Sequence, residues 1–275
     1  MISIKITRKY IKEYKIVAIT YANEDYKLQL KFNKFTAKKV GKVDKFYSYT
    51  PQDIDFNFRK ENENILSYQR GNGYWLWKPY FILKTLKEKL NYGDYLIYTD
   101  AGILYINKVQ IAINFMISKK AEMWVIRLNT IEKHYTKRDA FLLLNADSPI
   151  YTDTYQFMAG IQIYKKTKFT EKFLEKLIYF SKDRRIITDE PNTLGLPNFE
   201  GFIENRHDQS VLSLLTKKFG LAGSDKVNKT SKNLNNFEYS PMPIICCIYR
   251  KTPFTSYYNL KNKCIEMNDI KFFKY

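Results

Sequence analysis

Residues 71–102, GNGYWLWKPYFILKTLKEKLNYGDYLIYTDAG, constrain this chain more than any other stretch. An aromatic, cationic loop leads into an amphipathic helix. Pro79 stands at its first position, Phe81, Leu83, Leu86 and Leu90 recur near helical spacing, and Gly93 ends it. A short apolar strand, Tyr95–Thr99, follows and delivers a single carboxylate, Asp100. A helix that feeds a buried strand ending in a carboxylate is a piece of an open α/β sheet. Such sheets bind ligands in the crevice outside the carboxyl ends of their strands.

The flanking sequence repeats the alternation. Ile16–Tyr21 is a β-branched run and reads as the first strand, residues 25–39 as a helix and Val43–Thr50 as a second strand. Residues 51–70 are polar and read as loop or short helix. Asn107–Lys120 reads as a helix, Met123–Leu128 as a strand, and Thr136 as the cap of a helix over Lys137–Leu144. Phe157–Tyr164 is another strand, Thr170 caps a basic helix over Glu171–Ser181, residues 184–205 are loop-like, and a helix over Asp208–Phe219 stops at Gly220. Strands alternating with helices predict an α/β fold, a mostly parallel sheet with helices on both faces. Residues 221–243 read as a flexible polar loop. Residues 244–275 hold a short strand (Ile244–Tyr249) and a basic aromatic end, KFFKY. The simplest organisation is one domain over 1–243 with a C-terminal extension, 244–275, packed on it.

Composition sets the outer bounds. With 275 residues, 45% of them hydrophobic, the chain can bury one large core. Its net charge of +18 has two readings: drift in a Lys-, Asn- and Tyr-rich composition, or an anionic partner such as a sugar nucleotide, nucleic acid or acidic membrane. The three cysteines, Cys246, Cys247 and Cys264, form neither a disulfide framework nor a zinc spacing, which suits a reducing, cytoplasmic setting. The N-terminus lacks a signal-peptide pattern, and the longest apolar stretch, near Val109–Ile117, is far short of a membrane span. A soluble or peripheral protein is expected.

Four blocks carry candidate chemistry, each with a structural alternative. Asp100 is a ligand for a metal or ribose, or a plain turn residue before Ala101 and Gly102. Lys78, beside a helix N-terminus, makes an anion site, or is a solvated lysine beside a buried aromatic pair, Trp75 and Trp77. Ala159 and Gly160, in FMAGIQIY, let a substrate approach the backbone, or allow tight strand packing. Asp208, in ENRHDQSVLSLL, is a carboxylate at a helix mouth, or an N-cap. Arg206 and His207 stand beside it as candidates for phosphate or acceptor contact. The block Thr136–Asp139 reads better as a capped helix start.

As a set, GYWLWKP, YTDAG, FMAGIQIY and HDQS resemble bacterial polysaccharide glycosyltransferases of the GT-A type, including galactofuranose-adding ones. The resemblance spans roughly residues 70–220. It implies a hexosyltransferase that uses a UDP-sugar donor and a growing capsule or O-antigen glycan as acceptor, often linked to a polyprenyl diphosphate. It places Asp100 at the position of a DxD motif, which holds Mn²⁺ or Mg²⁺ against the donor diphosphate, although Gly102 replaces the second carboxylate. Thr20, Tyr21, Asn23, Tyr74, Lys78, Thr99 and Gly102 fall on the donor side, and Trp75, Ala159, Gly160, Arg206 and His207 on the acceptor side. With inversion expected, Asp208 is the base that takes the acceptor proton. The basic tail is given an anionic membrane surface at the inner face of the cell membrane. Two other readings stand beside this one. A nucleotidyltransferase would need a Gly-rich phosphate loop, absent around Ile16–Asn23. A nucleic-acid-binding protein would need a clustered basic stripe, and Lys is spread along the chain, so no nucleic acid is expected as partner.

Overall fold

A computed structural model describes residues 13–220 and a strand at 246–248. In chain order the elements are β1 (Ile16–Tyr21), α1 (Lys27–Lys39), β2 (Lys45–Tyr49), α2 (Phe56–Glu61), α3 (Glu63–Leu66), α4 (Gly71–Tyr74), α5 (Trp77–Lys89), β3 (Tyr95–Thr99), β4 (Ile103–Tyr105) and α6 (Val109–Ser118). There follow β5 (Met123–Ile131), α7 (Arg138–Leu143), α8 (Pro149–Thr152), β6 (Tyr155–Lys165), α9 (Lys168–Ser181), α10 (Arg184–Ile187), α11 (Asp208–Lys218) and β7 (Cys246–Ile248).

The architecture is α/β, with a central five-stranded sheet flanked by helices, as the strand–helix alternation predicts. The strand order is β2-β1-β3-β6-β5. β1 pairs parallel with β2 and β3, whereas β6 runs antiparallel to both β3 and β5. Four of the five strands therefore run in one direction, the mostly parallel sheet that the alternation predicts, and β6 alone runs against them. Alternation fixes the layers but not this reversal. Between β5 and β6 the helices α7 and α8 have only 6 and 4 residues. They cannot carry the chain back along the sheet, as a parallel crossover requires.

Period-two side-chain alternation splits the sheet into two faces. Ile16 and Ala18 of β1, Tyr95 and Ile97 of β3, and Ile161 and Ile163 of β6 pack under α1 and α6. Val17, Ile19, Leu96, Tyr98 and Tyr164 pack against α5, α9 and α11 on the other face. A second, two-stranded sheet pairs β4 antiparallel with β7, at the position of the expected C-terminal strand. The remaining tail, KFFKY included, and the loop at 221–243 lie outside the described residues.

Local chemistry corrects three helix starts. Thr136 does not cap α7; its hydroxyl donates to Glu132 Oε1 (2.6 Å), and Lys137 stands at the cap position. α9 begins at Lys168, capped by Thr167, and Thr170 reciprocates from the third position of a capping box. α5 likewise begins at Trp77, two residues before Pro79.

One buried side chain ties α1 to the end of β3. The Asn33 amide donates to Thr99 Oγ1 (2.9 Å), Asp100 O (3.3 Å) and Ile103 O (2.7 Å), which holds the turn that presents Asp100. Asn33→Ala leaves these acceptors unpaired, so it should lower stability by about 2–3 kcal/mol in urea unfolding. An unchanged midpoint would show that the turn holds itself.

Candidate functional site

The site is built where two helices start against the carboxyl ends of β1 and β3. Both starts are strained in the same sense. Gly71, Asn72, Gly73, Tyr74 and Trp75 all have positive φ, from 49° to 89°. Left-handed backbone costs most residues about 1–2 kcal/mol each, and glycine far less. Glycine is also the residue that fits: a Cβ on Gly73 would meet Leu66 Cα at 2.6 Å. The left-handed turn throws Trp77 onto Tyr21 in a 3.7 Å stack, with the Trp77 indole N–H donated to Gly71 O (2.9 Å). It also sets Lys78 in the first turn of α5, pointing into the protein. At α11 the residue before the helix, His207, has φ 54°. Asp208 is consequently the first helical residue and not the N-cap, and its carboxylate turns inward.

These two starts meet. The Lys78 ammonium is 2.7 Å from Asp208 Oδ2 and 3.3 Å from Asp100 Oδ1, with its side chain only 4% exposed. At 2.7 Å the ammonium and Asp208 Oδ2 form a direct contact ion pair. Tyr98, two residues before Asp100 and buried beneath it, donates its hydroxyl to Asp100 Oδ1 (2.5 Å). The ammonium also lies 5.3 Å from the Tyr98 ring and 5.9 Å from that of Trp77, within cation–π range.

The electrostatics follow from burial. Burial opposes the Lys78 charge, but its two carboxylates outweigh burial and raise its pKa above the ordinary value. Asp208 is pushed up to about 6, because burial disfavours its charge more than the Lys78 ammonium favours it. The Tyr98 hydroxyl is held well above its usual range by burial and by Asp100. Asp100 differs from Asp208 in being open, with 44% of its side chain exposed. Two carboxylates sharing one cation thus sit in unlike surroundings, an arrangement that suits unlike roles.

Asp100 is also the centre of a small cradle. Its backbone N–H donates to Gly160 O (2.9 Å), and a Cβ on Gly160 would lie 3.0 Å from Asp100 Oδ2. The missing side chain leaves that oxygen accessible from β6. Among the described residues no group of three or more His, Cys, Asp or Glu is placed to hold a metal. Yet Lys78, Asp100 and Asp208 together carry a formal charge of −1, and one carboxylate oxygen faces open space. A single accessible carboxylate oxygen would supply one ligand to a hard divalent cation, which would need its other ligands from water and a bound anion.

The other residues singled out in the sequence divide into framing and lining positions. Thr20 and Thr99 are framing: the Thr20 hydroxyl donates to Thr99 O (2.7 Å), and Thr99 Oγ1 accepts from Asn33. Gly102 lies in the turn closed by Ile103 N–H to Asp100 O (3.0 Å). The Asn23 amide donates to Asp25 Oδ2 (3.0 Å). Tyr21 keeps a buried hydroxyl without a hydrogen-bond partner, and burial raises its pKa to about 12. Ala159 has its backbone engaged, receiving Gln162 Nε2 at 2.7 Å and donating to Gln209 Oε1 at 3.2 Å. Tyr74 and Trp75 flank the His207 ring at 4.9 and 5.3 Å between centroids. His207 Nδ1 is 2.8 Å from Ile187 O, and burial lowers its pKa. Arg206 pairs with Glu204 (3.2 Å) and covers the Tyr135 ring. The block Thr136–Asp139 is structural: Asp139 accepts the Thr193 and Leu194 N–H groups, and Lys137 donates to Glu190 O (2.5 Å).

Several contributors went unremarked in the sequence. Tyr98 was detectable, because a residue two before Asp100 shares its face of the strand. The network behind α11 was not. Glu132, fully buried, takes Lys217 Nζ (2.5 Å), Ser213, Thr136 and Gln156, and Gln156 receives Gln209 Nε2 (2.7 Å). It locks the first turn of α11 to β6 through residues scattered over about 85 positions.

No protein-family model and no curated protein matches the chain. Solved structures do resemble it in shape. One is WbbM, a bifunctional glycosyltransferase in its apo form: 10% identity over 74% of this chain, TM-score 0.43. This chain spans 38% of that protein's length. Another is the galactosyltransferase LgtC in complex with donor and acceptor sugar analogues, at 10% identity over 94% of this chain and 97% of that one, TM-score 0.44. An active-site mutant of LgtC gives 11% identity, 91% and 95% coverage, and a TM-score of 0.46. These three scores lie below 0.5 and carry no functional assignment.

The ion triplet makes a stability prediction. Asp208→Ala leaves a buried ammonium with one partner and should cost about 3–5 kcal/mol. Lys78→Met/Asp208→Leu should cost clearly less than the two single changes added together. Additive costs in urea unfolding would mean the pair is not coupled.

Proposed function

We propose that this chain transfers a hexose from a nucleoside diphosphate sugar to a hydroxyl of a glycan acceptor. The observation that carries the reading is the Lys78 ammonium shared between an open carboxylate, Asp100, and a buried one, Asp208, at the carboxyl end of the sheet. The sequence blocks that resemble polysaccharide glycosyltransferases converge on this same point.

The chemistry follows from the two environments. A base works best with a pKa near the operating pH, and Asp208 at about 6 is mostly ionised at neutral pH while remaining basic. In the proposed reaction the acceptor oxygen bonds to the anomeric carbon. The bond from that carbon to the diphosphate oxygen breaks, with its electron pair leaving on the diphosphate, and the acceptor proton passes to Asp208. Configuration inverts. Asp100, fixed by Tyr98 and Lys78 through Oδ1, keeps Oδ2 free toward the donor. Mn²⁺ or Mg²⁺, when bound, would be held by Asp100 Oδ2 and would neutralise charge on the departing diphosphate. The sequence resemblance supports a UDP-linked donor, with galactose or galactofuranose among the hexoses. It also supports a capsule- or O-antigen-type acceptor on a polyprenyl diphosphate, used at the cytoplasmic side of the membrane. No helix of the described residues is long and apolar enough to cross one.

Thermal shift with UDP, GDP, CMP, dTDP and ADP, each with and without Mn²⁺, tests the proposal. UDP should raise the melting temperature, consistent with up to about 2.7 kcal/mol at a hundredfold excess over Kd, and Mn²⁺ should increase the rise. In Gly160→Ala the Mn²⁺ increment should vanish, because the added methyl crowds Asp100 Oδ2. Asp208→Asn should still bind UDP while transferring about 10²–10⁴-fold more slowly. A protein that melts at the same temperature with every nucleotide would refute a donor site here.

A further inference from the structure

The charge of this chain is unevenly distributed in the fold. Residues 27–43 and 101–121 contain nine lysines and no Asp or Glu, so about half of the net charge of +18 lies on 38 residues. Both segments belong to the same side of the molecule, since Ala37 of α1 and Val109, Ala112, Ile113 and Met116 of α6 pack on one face of the sheet. The sequence shows lysine spread along the chain; the fold gathers these.

α1 shows the pattern most clearly. Asn33, Thr36 and Ala37 face the core. The opposite side presents Lys27, Lys31, Lys34, Lys38 and Lys39, all exposed. Leu28 and Phe35, two turns apart on that same side, are 50% and 59% exposed. On α6, Ile111 and Ile117 are 37% and 49% exposed. The acids that bound the patch are few: Glu24, which pairs with Lys27, and Asp25 precede α1, Asp44 accepts the Ile16 N–H (2.7 Å), and Glu122 follows α6.

We infer that the α1/α6 face docks on an anionic lipid bilayer. Lysines alone would suit any polyanion. Large apolar side chains set among them, with no acid on either helix, suit a surface that offers charged headgroups and an acyl boundary together. The lysine stems lie along the apolar zone while their ammonium groups reach the headgroups. Asn33 of this helix holds the turn that carries Asp100, so a docked bilayer would lie about one helix diameter, ~10 Å, from the proposed site. The inference extends the sugar-transfer reading by naming the surface that would meet a lipid-linked acceptor, but docking itself needs no nucleotide.

Co-sedimentation of the full chain with phosphatidylcholine vesicles, with and without phosphatidylglycerol, tests it. The parent should bind only the anionic vesicles and release them in high salt. Lys31→Ser/Lys34→Ser/Lys38→Ser should weaken binding roughly a hundredfold, about fivefold per lysine. Phe35→Ser should weaken it with all lysines present, and both variants should keep the parent melting temperature and UDP response. Vesicle binding unchanged in both variants would overturn the inference and place attachment elsewhere in the chain. So would failure of the parent to bind, or tighter binding to duplex DNA than to anionic vesicles. Sugar transfer to a soluble acceptor should survive the lysine changes; a parent that binds the vesicles but transfers no sugar would count against the transfer reading and leave the docking inference standing.

Discussion

A lysine with 4% of its side chain exposed is tolerable only if its charge is paired, and the cleft of this protein is arranged around that requirement. Lys78 needs Asp208, and Asp208 can reach it only because α11 starts one residue after a left-handed His207. Lys78 itself points inward because five residues of positive φ precede α5. Asp100 completes the set from the end of β3, steadied by Tyr98 and by Asn33 across the turn. Strain at two helix starts is thus balanced by one ion triplet, and such strain concentrates where a site needs pre-set geometry.

The supporting structure is graded in the same way. Behind α11, Glu132 and Lys217 form a second buried pair, extended by Ser213, Thr136, Gln156 and Gln209. Every member has a partner, so the network specifies one seating of the helix rather than a loose one. The contrast with the front is informative. There, Asp100 is open and Gly160 leaves a gap beside its Oδ2.

Much of the fold was legible in the sequence, for reasons tied to particular residues. Tyr95–Thr99 and Ile16–Tyr21 are short β-branched or aromatic runs bounded by turn residues, and both strands occur where those patterns end. The reversal of β6 was not legible, because it depends on how short α7 and α8 are in space. Asp100, Lys78 and Asp208 stood out locally, but their convergence joins positions 130 residues apart and leaves no periodic signal. Thr20 and Thr99 were plausible ligands by location, and burial gives their hydroxyls to the backbone and to Asn33. Gly71 and Gly73 permit positive φ by residue type, whereas nothing in the sequence signals that Asn72, Tyr74 and Trp75 share that conformation.

The proposed chemistry requires Asp208 to be buried against Lys78. A carboxyl-¹³C NMR titration of the aspartates, in the parent and in Lys78→Met, measures this directly. In the parent one aspartate should titrate near pH 6. Because its pKa is raised by folding, its ionisation works against the folded state as pH rises from about 4 to 6. Removing the ammonium should move that titration further up, since burial would then act unopposed. An Asp208 that titrates near its ordinary value, or one that does not respond to Lys78→Met, would contradict the arrangement on which the proposed chemistry depends.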